Sequence, residues 1–355
     1  MVVAIRPQLR IADRFIGGSC KAFVIAEVAQ AHDGSLGLAH AFIDAVAKAG
    51  ADAIKFQTHI ADAESTLDEP FRVSFTQQDK TRLDYWRRME FTADQWEELA
   101  RHSRERGLVF VSSAFSLDAV RLLEKLGMPV WKVASGEIQS AALLEAMVAT
   151  GAPIIVSTGM ATRAEIGEAA ACLRAMGASY ALLQCTSIYP TPLEKVGLNV
   201  MEELRTNYGC AVGLSDHSGS IFPGLAALAR GADIIEVHVT FHAEMFGPDV
   251  PASISMEQLR ILCDMRDAVH LMDGNPVDKD GIASDLGSLR QMFGKSLAPI
   301  CALSAGTVLA AHMLTAKKPG GGLSPAETDQ LVGKRLLRDV TPQRILRKED
   351  VEGYK

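Results

Sequence analysis

A short apolar stretch of the sequence, ADIIEVHVTF at 232–241, contains a carboxylate and an imidazole that could do chemistry. Side chains alternate along a strand, so Glu236 and His238 would lie on the same face. Another histidine, His217, follows the apolar run AVGLSD at 211–216. Two imidazoles at the ends of neighbouring strands can bind a divalent transition metal and leave positions open for substrate and water. The alternative is that both are structural histidines held by hydrogen bonds.

Two lysines lie inside other apolar runs, Lys55 in AIKFQ and Lys132 in VWKVA. Burying an ammonium group without an anionic partner costs free energy, so the pair indicates an anion between them. Serine hydroxyls could help the lysines to hold a phosphate or a carboxylate through charge-assisted hydrogen bonds. A lone buried serine more often bonds a backbone carbonyl, so the prediction depends on the whole set. The serines at comparable positions are Ser113, Ser135, Ser157, Ser187 and Ser215.

Short runs rich in β-branched residues alternate with segments of helical spacing from residue 22 onward. In the first such segment, Leu38, Phe42 and Val46 recur at four-residue steps before Gly50, which is placed to end a helix. Eight strands that alternate with helices predict parallel crossovers and a closed (β/α)8 barrel. A doubly wound open sheet is the alternative, weakened because no G-x-G-x-x-G follows the first run. The predicted strands are at 22–29, 51–59, 107–115, 129–137, 152–160, 180–187, 211–218 and 233–240.

In a (β/α)8 barrel the chemistry lies at the carboxyl ends of the strands. Each predicted strand brings at least one polar side chain to that rim, which favours one shared function over eight separate structural roles. Glu236 and His238 would then face the barrel interior because its upper half is a reaction chamber. The polar residues at the rim are Glu27, Lys55, Gln57, Ser113, Lys132, Ser135, Ser157, Ser187, Tyr189, Ser215, His217, Glu236 and His238.

The chain divides into a long first part and a short last part. We expect the barrel over 1–272, with an N-terminal strand extension, a linker at 273–286 and a compact domain over 287–355. Residues 61–92 form the longest interruption between strands and are rich in aromatic side chains. This segment is predicted either to supply walls of a substrate site as a long loop or to pack on the side of the barrel as a helical insertion.

The composition favours small-molecule partners. The net charge is −7, so the chain lacks the basic field that binds nucleic acid or an anionic membrane surface. No apolar run approaches the roughly 18 residues that a membrane helix needs, and Arg6, Arg10 and Arg14 exclude a signal peptide. The six cysteines are scattered without a C-x-x-C pair, which is typical of a reduced, cytoplasmic protein.

Motifs in both parts of the chain resemble those of the N-acetylneuraminate (sialic acid) synthase family. They are IAEVAQAHDGSLGLAHAFIDAVAKAGADAIKFQTH, WKVASGEI, VSTGMAT, LQCTSIYPTP and VGLSDHSG, with KKPGGGLSP and VGKRLLRDV near the end. The resemblance implies a (β/α)8 TIM barrel followed by a small SAF (antifreeze-like) domain, in a domain-swapped homodimer in which each SAF domain caps the partner's barrel. The implied reaction condenses phosphoenolpyruvate with the aldehyde of an amino sugar, giving a nine-carbon 2-keto-3-deoxy acid and phosphate. It requires Mn²⁺ or another divalent cation such as Mg²⁺ or Co²⁺.

The same resemblance implies roles for individual residues. Glu27, Lys55 and Lys132 would be catalytic, with Glu27 handling protons or the attacking water. His217 and His238 would bind the metal. Phosphoenolpyruvate would be bound by Lys55, Ser113, Lys132, Ser135, Ser157 and Ser215. The sugar would be bound by Gln57, Glu137, Ser187, Tyr189 and Asp249, and by Lys318 from the partner subunit.

Three departures from the family's motifs concern the sugar. Lys318 stands where the family usually has an arginine that contacts the N-acetyl group, and a lysine cannot present a planar fork of donors. Ser187 replaces a frequent asparagine, and Ala31 and Asp33 stand where asparagines are common. We therefore expect the family's reaction to be retained, whereas the identity of the acceptor sugar is left open. The acceptor is expected to be N-acetylmannosamine, a 2,4-diacetamido sugar or an aldose without an amide.

Two other functions share part of this pattern. A phosphoenolpyruvate-dependent 3-deoxy-ulosonate synthase acting on a non-acetylated or phosphorylated aldose has the same barrel and chemistry. Those enzymes lack the SAF tail, and a second phosphate needs extra arginines or lysines, which the rim does not show in the sequence. A non-catalytic carbohydrate-binding protein would have no need of Glu27, both lysines and both histidines together.

Overall fold

A computed structural model describes residues 7–73, 75, 76 and 78–354. The chain divides into two compact units, 1–274 and 275–355. The first begins with an antiparallel hairpin of β1 (Gln8–Ile11) and β2 (Arg14–Gly17), at the place of the expected strand extension. Residues 1–6 of that expected extension lie outside the described part of the chain.

Eight parallel strands of the first unit close into a barrel, because the last one pairs with both its predecessor and the first. This confirms the predicted (β/α)8 architecture. A short strand, β11 (Ile254–Ser255), pairs in parallel with the carboxyl end of the last barrel strand, at Val239 and Thr240. The barrel strands are β3 (Phe23–Ala29), β4 (Ala53–Thr58), β5 (Val109–Ala114), β6 (Trp131–Val133), β7 (Ile154–Ser157), β8 (Tyr180–Cys185), β9 (Ala211–Asp216) and β10 (Ile234–Thr240).

Helices connect the strands and carry the expected termination signals. The first is capped by Ser35, whose hydroxyl accepts from the Leu38 N–H, and ends at Gly50 with φ 88°. Thr92 and Thr162 form capping boxes at two later helices. The helices are α1 (Leu36–Ala49), α2 (Ala61–Glu64), α3 (Arg82–Met89), α4 (Ala93–Glu105), α5 (Leu117–Glu124), α6 (Ala141–Ala149), α7 (Arg163–Ala175), α8 (Leu198–Tyr208), α9 (Phe222–Ala229) and α10 (Met256–Gly274).

The interior of the barrel is apolar only in its N-terminal half. There Leu9, Ile11 and Ile16 of the hairpin join one buried cluster with inward-facing strand residues such as Ile25 and Val111. The hairpin therefore fills the bottom of the barrel. A second, larger apolar cluster lies between the strands and the surrounding helices. The barrel strands are nearly continuous apolar runs because they are buried on both faces. Polar residues interrupt these runs toward the carboxyl ends of the strands.

The long interruption at 61–92 has a core of its own. Its helix α3 buries Leu83, Trp86 and Met89 against Ala61 of α2. Phe71 and Phe75 pack against this cluster. The segment is thus partly helical, as one of the two sequence predictions has it. Its loop residues also reach the mouth of the barrel, as the other prediction has it.

The second unit is small and has a separate core, built mainly from leucines. The segment predicted as a linker, 273–286, contains the end of α10 and a further helix. Two antiparallel strands pair further along. The elements are α11 (Lys279–Asp285), α12 (Gly287–Phe293), β12 (Ser296–Pro299), β13 (Leu314–Lys317) and α13 (Thr328–Leu331). Within the described residues of both units, no helix is long and apolar enough to cross a membrane.

Candidate active site

A cavity of about 330 Å³ opens at the carboxyl ends of the barrel strands. Its size lies within the range of small-molecule sites, roughly 300–1,000 Å³. Twelve residues that the sequence analysis assigned to a site line it: Glu27, Lys55, Gln57, Lys132, Ser135, Ser157, Ser187, Tyr189, Ser215, His217, His238 and Asp249.

Strand alternation explains why these side chains share one cavity. In β4, Ala53 belongs to the apolar cluster at the bottom, and Lys55 and Gln57 follow on the same face into the cavity. In β10, Ile234 at the bottom is followed by Glu236 and His238 on that face. The barrel thus changes from apolar to polar along its axis.

Lys55 is held by a carboxylate of the neighbouring strand. Its Nζ forms a buried ion pair with Glu27, whose Oε1 also accepts a hydrogen bond from Gln57 Nε2 at 3.1 Å. Burial alone would lower the pKa of Lys55, but the charges of Glu27 and Glu236 outweigh it, and the pKa lies above its usual value. Lys55 is therefore a permanent cation at physiological pH.

Lys132 takes part in an ion pair that crosses the barrel. Its Nζ donates to Ser157 Oγ at 2.7 Å and lies 3.5 Å from Glu236 Oε1. Strands β6 and β10 are four positions apart in a ring of eight, so this pair spans the interior and forms the floor of the cavity. Burial lowers the pKa of Lys132, attraction to Glu236 only partly offsets this, and the charge of Lys55 lowers it further.

Glu236 is the counter-charge that the sequence analysis placed at the rim without a role. One oxygen accepts from Ser215 Oγ at 3.0 Å, whereas Oε2 has no hydrogen-bond partner among the described residues. Burial would raise the pKa of Glu236, but Lys132 and Lys55 lower it, so the group stays ionised. The two lysines are thus neutralised by Glu27 and Glu236, so their burial does not by itself require the anion that the sequence analysis expected between them.

His217 and His238 lie side by side, with ring centroids 5.2 Å apart. Nδ1 of His217 lies 3.2 Å from the Thr186 carbonyl oxygen, and its Nε2 lies 3.0 Å from the Tyr189 hydroxyl. Burial, helped by the neighbouring His238, lowers the pKa of His217 to about 3, so the ring stays neutral. A neutral imidazole whose Nδ1–H is held by a carbonyl presents Nε2 as a lone-pair donor, which suits a metal.

These two imidazoles fit a metal that keeps several non-protein ligands. Within the described part of the chain, no group of three or more His, Cys, Asp or Glu residues is arranged to hold a metal ion. A cation at His217 and His238 would therefore retain coordination positions for substrate and water, as a catalytic site requires.

Two family models match the chain. The NeuB family model matches residues 42–278, well over half of the chain, and the SAF domain model matches 295–352. This chain belongs to the NeuB family. The resemblance to sialic acid synthases inferred from the motifs is confirmed, as is the SAF domain in the second unit.

Named relatives within the family make different products. The chain is 32% identical over 333 residues to an N,N'-diacetyllegionaminic acid synthase of Campylobacter jejuni. The aligned region covers 92% of this chain and 99% of that protein. It is 31% identical to human N-acetylneuraminate-9-phosphate synthase, over 96% of both chains. A sialic acid synthetase structure from Leptospira borgpetersenii, in complex with citrate, matches at 29% identity with a TM-score of 0.71, covering 81% of this chain and 98% of that one.

Three residues assigned to the site from the NeuB-like motifs do not line the cavity. Ser113 is buried beside it, and its hydroxyl has no hydrogen-bond partner among the described residues. Glu137 is half-buried, and burial with the nearby charge of Glu64 raises its pKa. Lys318 belongs to the second unit, where its Nζ lies 5.3 Å from the centroid of the Phe293 ring.

Sequence reasoning missed several residues of the cavity. Arg72 and Arg82 both line it, so the expectation that the rim has no extra arginine is wrong. They come from the 61–92 segment, whose path over the barrel mouth strand alternation does not determine. Cys185 also lines the cavity, and the period-two pattern of β8, with Leu183 pointing inward below it, could have identified it.

Gly159 was missed because a glycine carries no chemical signal of its own. A Cβ at this position would lie 2.4 Å from Ser187 Oγ, 2.6 Å from Cys185 Sγ and 2.9 Å from Ser135 Oγ. Its N–H donates to Ser135 Oγ at 3.0 Å. Only glycine allows these polar groups to come together at the wall of the cavity.

The lowered pKa of Lys132 predicts that anion binding weakens in alkaline solution. An anion needs the protonated ammonium, and Lys132 loses its proton below the ordinary lysine pKa of about 10.4. We expect the dissociation constant for phosphoenolpyruvate, measured by calorimetry from about pH 8 to pH 10, to rise with pH. In a Lys132→Arg variant, whose guanidinium stays charged, the rise should disappear. Wild-type affinity that is constant over this range would contradict the prediction.

Proposed function

We propose that this protein condenses phosphoenolpyruvate with the open-chain aldehyde of an N-acetylated amino sugar, N-acetylmannosamine or a related sugar, to give a nonulosonic acid and phosphate. Membership of the NeuB family and the synthase names of its relatives support this reaction class. The observation that carries the proposal is one cavity in which two buried lysines, two buried carboxylates and two adjacent imidazoles meet. Such a set suits an anion and an electrophile held face to face.

The charges in the cavity support a need for a divalent cation. Lys55 and Lys132 are balanced by Glu27 and Glu236, so these four groups carry no net charge. Phosphoenolpyruvate carries several negative charges, and serine hydroxyls can supply hydrogen bonds but not the missing counter-charge. We propose that His217 and His238 hold Mn²⁺, or another divalent cation such as Mg²⁺ or Co²⁺, whose chemistry would be to withdraw electron density from the sugar aldehyde.

The chain's own residues would then bind and orient the reactants. Lys55 and Lys132, with Ser135, Ser157 and Ser215, would hold the phosphate and carboxylate of phosphoenolpyruvate. Holding the vinyl carbon against the aldehyde carbon contributes much of the rate, since effective molarities in the best intramolecular reactions reach about 10⁵–10⁸ M. Since the lysines bind the anion in ground and transition states alike, their loss should appear largely in KM.

Glu27 is the residue placed to handle the water. Attack by the vinyl carbon forms the new C–C bond, leaving negative charge on the aldehyde oxygen and positive charge at C2. A water adds at C2 while its proton passes to a carboxylate oxygen of Glu27, which then releases a proton to the aldehyde oxygen. Gln57 and Lys55 fix that carboxylate. The C2–O bond to phosphate then breaks as the proton of the C2 hydroxyl passes to the departing phosphate, and the 2-keto acid and phosphate result.

A Glu27→Gln variant tests this assignment. We expect kcat for phosphate release to fall at least about 100-fold, the usual size of a general acid–base contribution. Phosphoenolpyruvate should bind at least as tightly as to wild type, because Lys55 then lacks its counter-charge. The measurement is phosphate release with Mn²⁺, phosphoenolpyruvate and a panel of aldoses, with mass spectrometry of the products. Glu105→Gln, an exposed glutamate paired with Arg101, is the control.

The panel also separates the proposal from its alternatives. Reaction only with sugars that lack an N-acetyl group, or only with phosphorylated sugars, would favour another 3-deoxy-ulosonate synthase. No phosphate release from wild-type protein with any sugar and metal would favour the non-catalytic carbohydrate-binding protein. A Glu27→Gln variant with wild-type kcat would remove Glu27 from the mechanism.

We further propose a cytoplasmic homodimer in which the second unit of one chain completes the barrel site of the other through Lys318. Support comes from the family membership and the SAF domain. The free state of all six cysteines agrees with a reduced compartment.

Mixed dimers test the contribution of Lys318. A Lys318→Ala variant should raise KM for the sugar, and Glu27→Gln should remove turnover at its own barrel. If Lys318 acts across the dimer, a heterodimer of the two variants contains one intact site. We therefore expect it to recover wild-type KM for the sugar at about half of the wild-type kcat. A heterodimer that keeps the raised KM of Lys318→Ala would show that Lys318 acts within its own chain. An unchanged KM for the sugar in the Lys318→Ala homodimer would show that Lys318 does not contribute to the site.

A further inference from the structure

The 61–92 segment brings one arginine to the cavity in a position that no sequence motif indicates. Arg72 Nη2 pairs with Asp249 Oδ1 at 2.5 Å and lies 3.3 Å from the Pro248 carbonyl oxygen. The guanidinium carbon lies 4.1 Å from the centroid of the Tyr189 ring. Arg72, Asp249 and Tyr189 all line the cavity.

Tyr189 locates this arginine relative to the chemistry. The Tyr189 hydroxyl lies 3.0 Å from His217 Nε2, and Arg72 covers the face of the same ring. Arg72 is therefore one aromatic ring away from the imidazole pair that would face the aldehyde. It lies at the mouth, whereas the Lys132–Glu236 pair forms the floor. Under the proposed function, this places Arg72 beside the acceptor sugar and not beside phosphoenolpyruvate.

Arg72 has donors to spare. Its side chain is 37% exposed, and Nε and Nη1 form no hydrogen bond with any described residue. Pairing with Asp249 and stacking on Tyr189 hold the guanidinium plane in place. Fixed donors of this kind suit a carbonyl or hydroxyl oxygen of a ligand.

The charges at the mouth favour an uncharged ligand. Arg72 is balanced by Asp249, and Arg82, the other arginine that lines the cavity, is paired with Glu69 at 3.0 Å. A second phosphate on the acceptor would meet no uncompensated cation from these two arginines. Aromatic side chains of the same segment, Phe71 and Phe75, provide apolar surface that suits the methyl of an N-acyl group.

We propose that Arg72 is a specificity-determining residue that donates hydrogen bonds to an uncharged, N-acylated acceptor sugar, with Asp249 accepting from the same sugar. This inference rests on the proposed function. It adds a residue of the inserted segment, within the same chain, to the acceptor site.

The test compares Arg72→Gln with Arg87→Gln. Arg87 is in the same segment, pairs with Asp62 at 2.6 Å and does not line the cavity. With N-acetylmannosamine and a 2,4-diacetamido hexose as acceptors, we expect Arg72→Gln to raise acceptor KM about tenfold, the loss of one charge-assisted hydrogen bond. KM for phosphoenolpyruvate should stay within about twofold, and Arg87→Gln should match wild type. The acceptor KM of Arg72→Lys should lie between those of wild type and Arg72→Gln, because a lysine keeps the charge but not the planar fork of donors.

A role that is only structural predicts different results. If Arg72 merely holds Asp249 in place, adding Arg72→Gln to an Asp249→Asn variant has no further effect on the acceptor KM. We expect instead that Arg72→Gln raises the acceptor KM in the Asp249→Asn variant as well. The inference is overturned if Arg72→Gln leaves the acceptor KM unchanged or raises KM for phosphoenolpyruvate equally. It is also overturned if wild type has a higher kcat/KM for N-acetylmannosamine 6-phosphate than for N-acetylmannosamine.

Direct binding separates this inference from the proposed function. Saturation-transfer NMR with N-acetylmannosamine on the full chain should show weaker binding to Arg72→Gln than to wild type. That result without phosphate release would leave the inference standing and refute the proposed function. Equal binding by both proteins, with phosphate release intact, would refute the inference and leave the proposed function standing.

Discussion

The upper half of the barrel depends on two buried ammonium groups that are neutralised by two buried carboxylates. The Glu27–Lys55 pair joins adjacent strands, and the Lys132–Glu236 pair crosses the barrel. Removing one partner of a buried pair leaves an uncompensated charge and costs about 3–5 kcal/mol. These pairs therefore keep the strand ends in one arrangement and hold the lysines ready for an anion. The apolar hairpin fills the bottom of the barrel, and the described cavity opens at the carboxyl end.

Under the proposed function, this neutrality means that the two lysines alone would not balance the charge of phosphoenolpyruvate. A cavity whose cations are already balanced binds an anion only by redistributing hydrogen bonds or by gaining positive charge. His217, kept neutral by burial, and His238 stand where a divalent cation would supply that charge. At the mouth of the cavity, the charge of Arg72 is likewise neutralised by Asp249. Charge in this cavity is thus divided into the Lys132–Glu236 pair at the floor, a central imidazole pair and a neutral pair at the mouth.

Much of this arrangement could be predicted from the sequence, because strand periodicity is a local property. Apolar runs gave the eight strands, and counting by twos from Ala53 or Ile234 leads directly to Lys55 and Glu236. The pairing of Lys132 with Glu236 could not be predicted, since it depends on closure of the ring. Arg72 could not be placed either, because the path of a long insertion follows from its own packing and not from a repeating pattern.

The most direct test of the account is the coupling between phosphoenolpyruvate and Mn²⁺ in the absence of any sugar, when no turnover occurs. Calorimetry would give the dissociation constant for phosphoenolpyruvate with and without Mn²⁺, for wild type and for a His217→Gln/His238→Gln variant. A shared neutral cavity predicts that Mn²⁺ tightens phosphoenolpyruvate binding to wild type by about 5- to 150-fold, the usual range of coupling between sites, and not to the variant. Binding that is independent of Mn²⁺, or coupling that survives in the variant, would contradict the account.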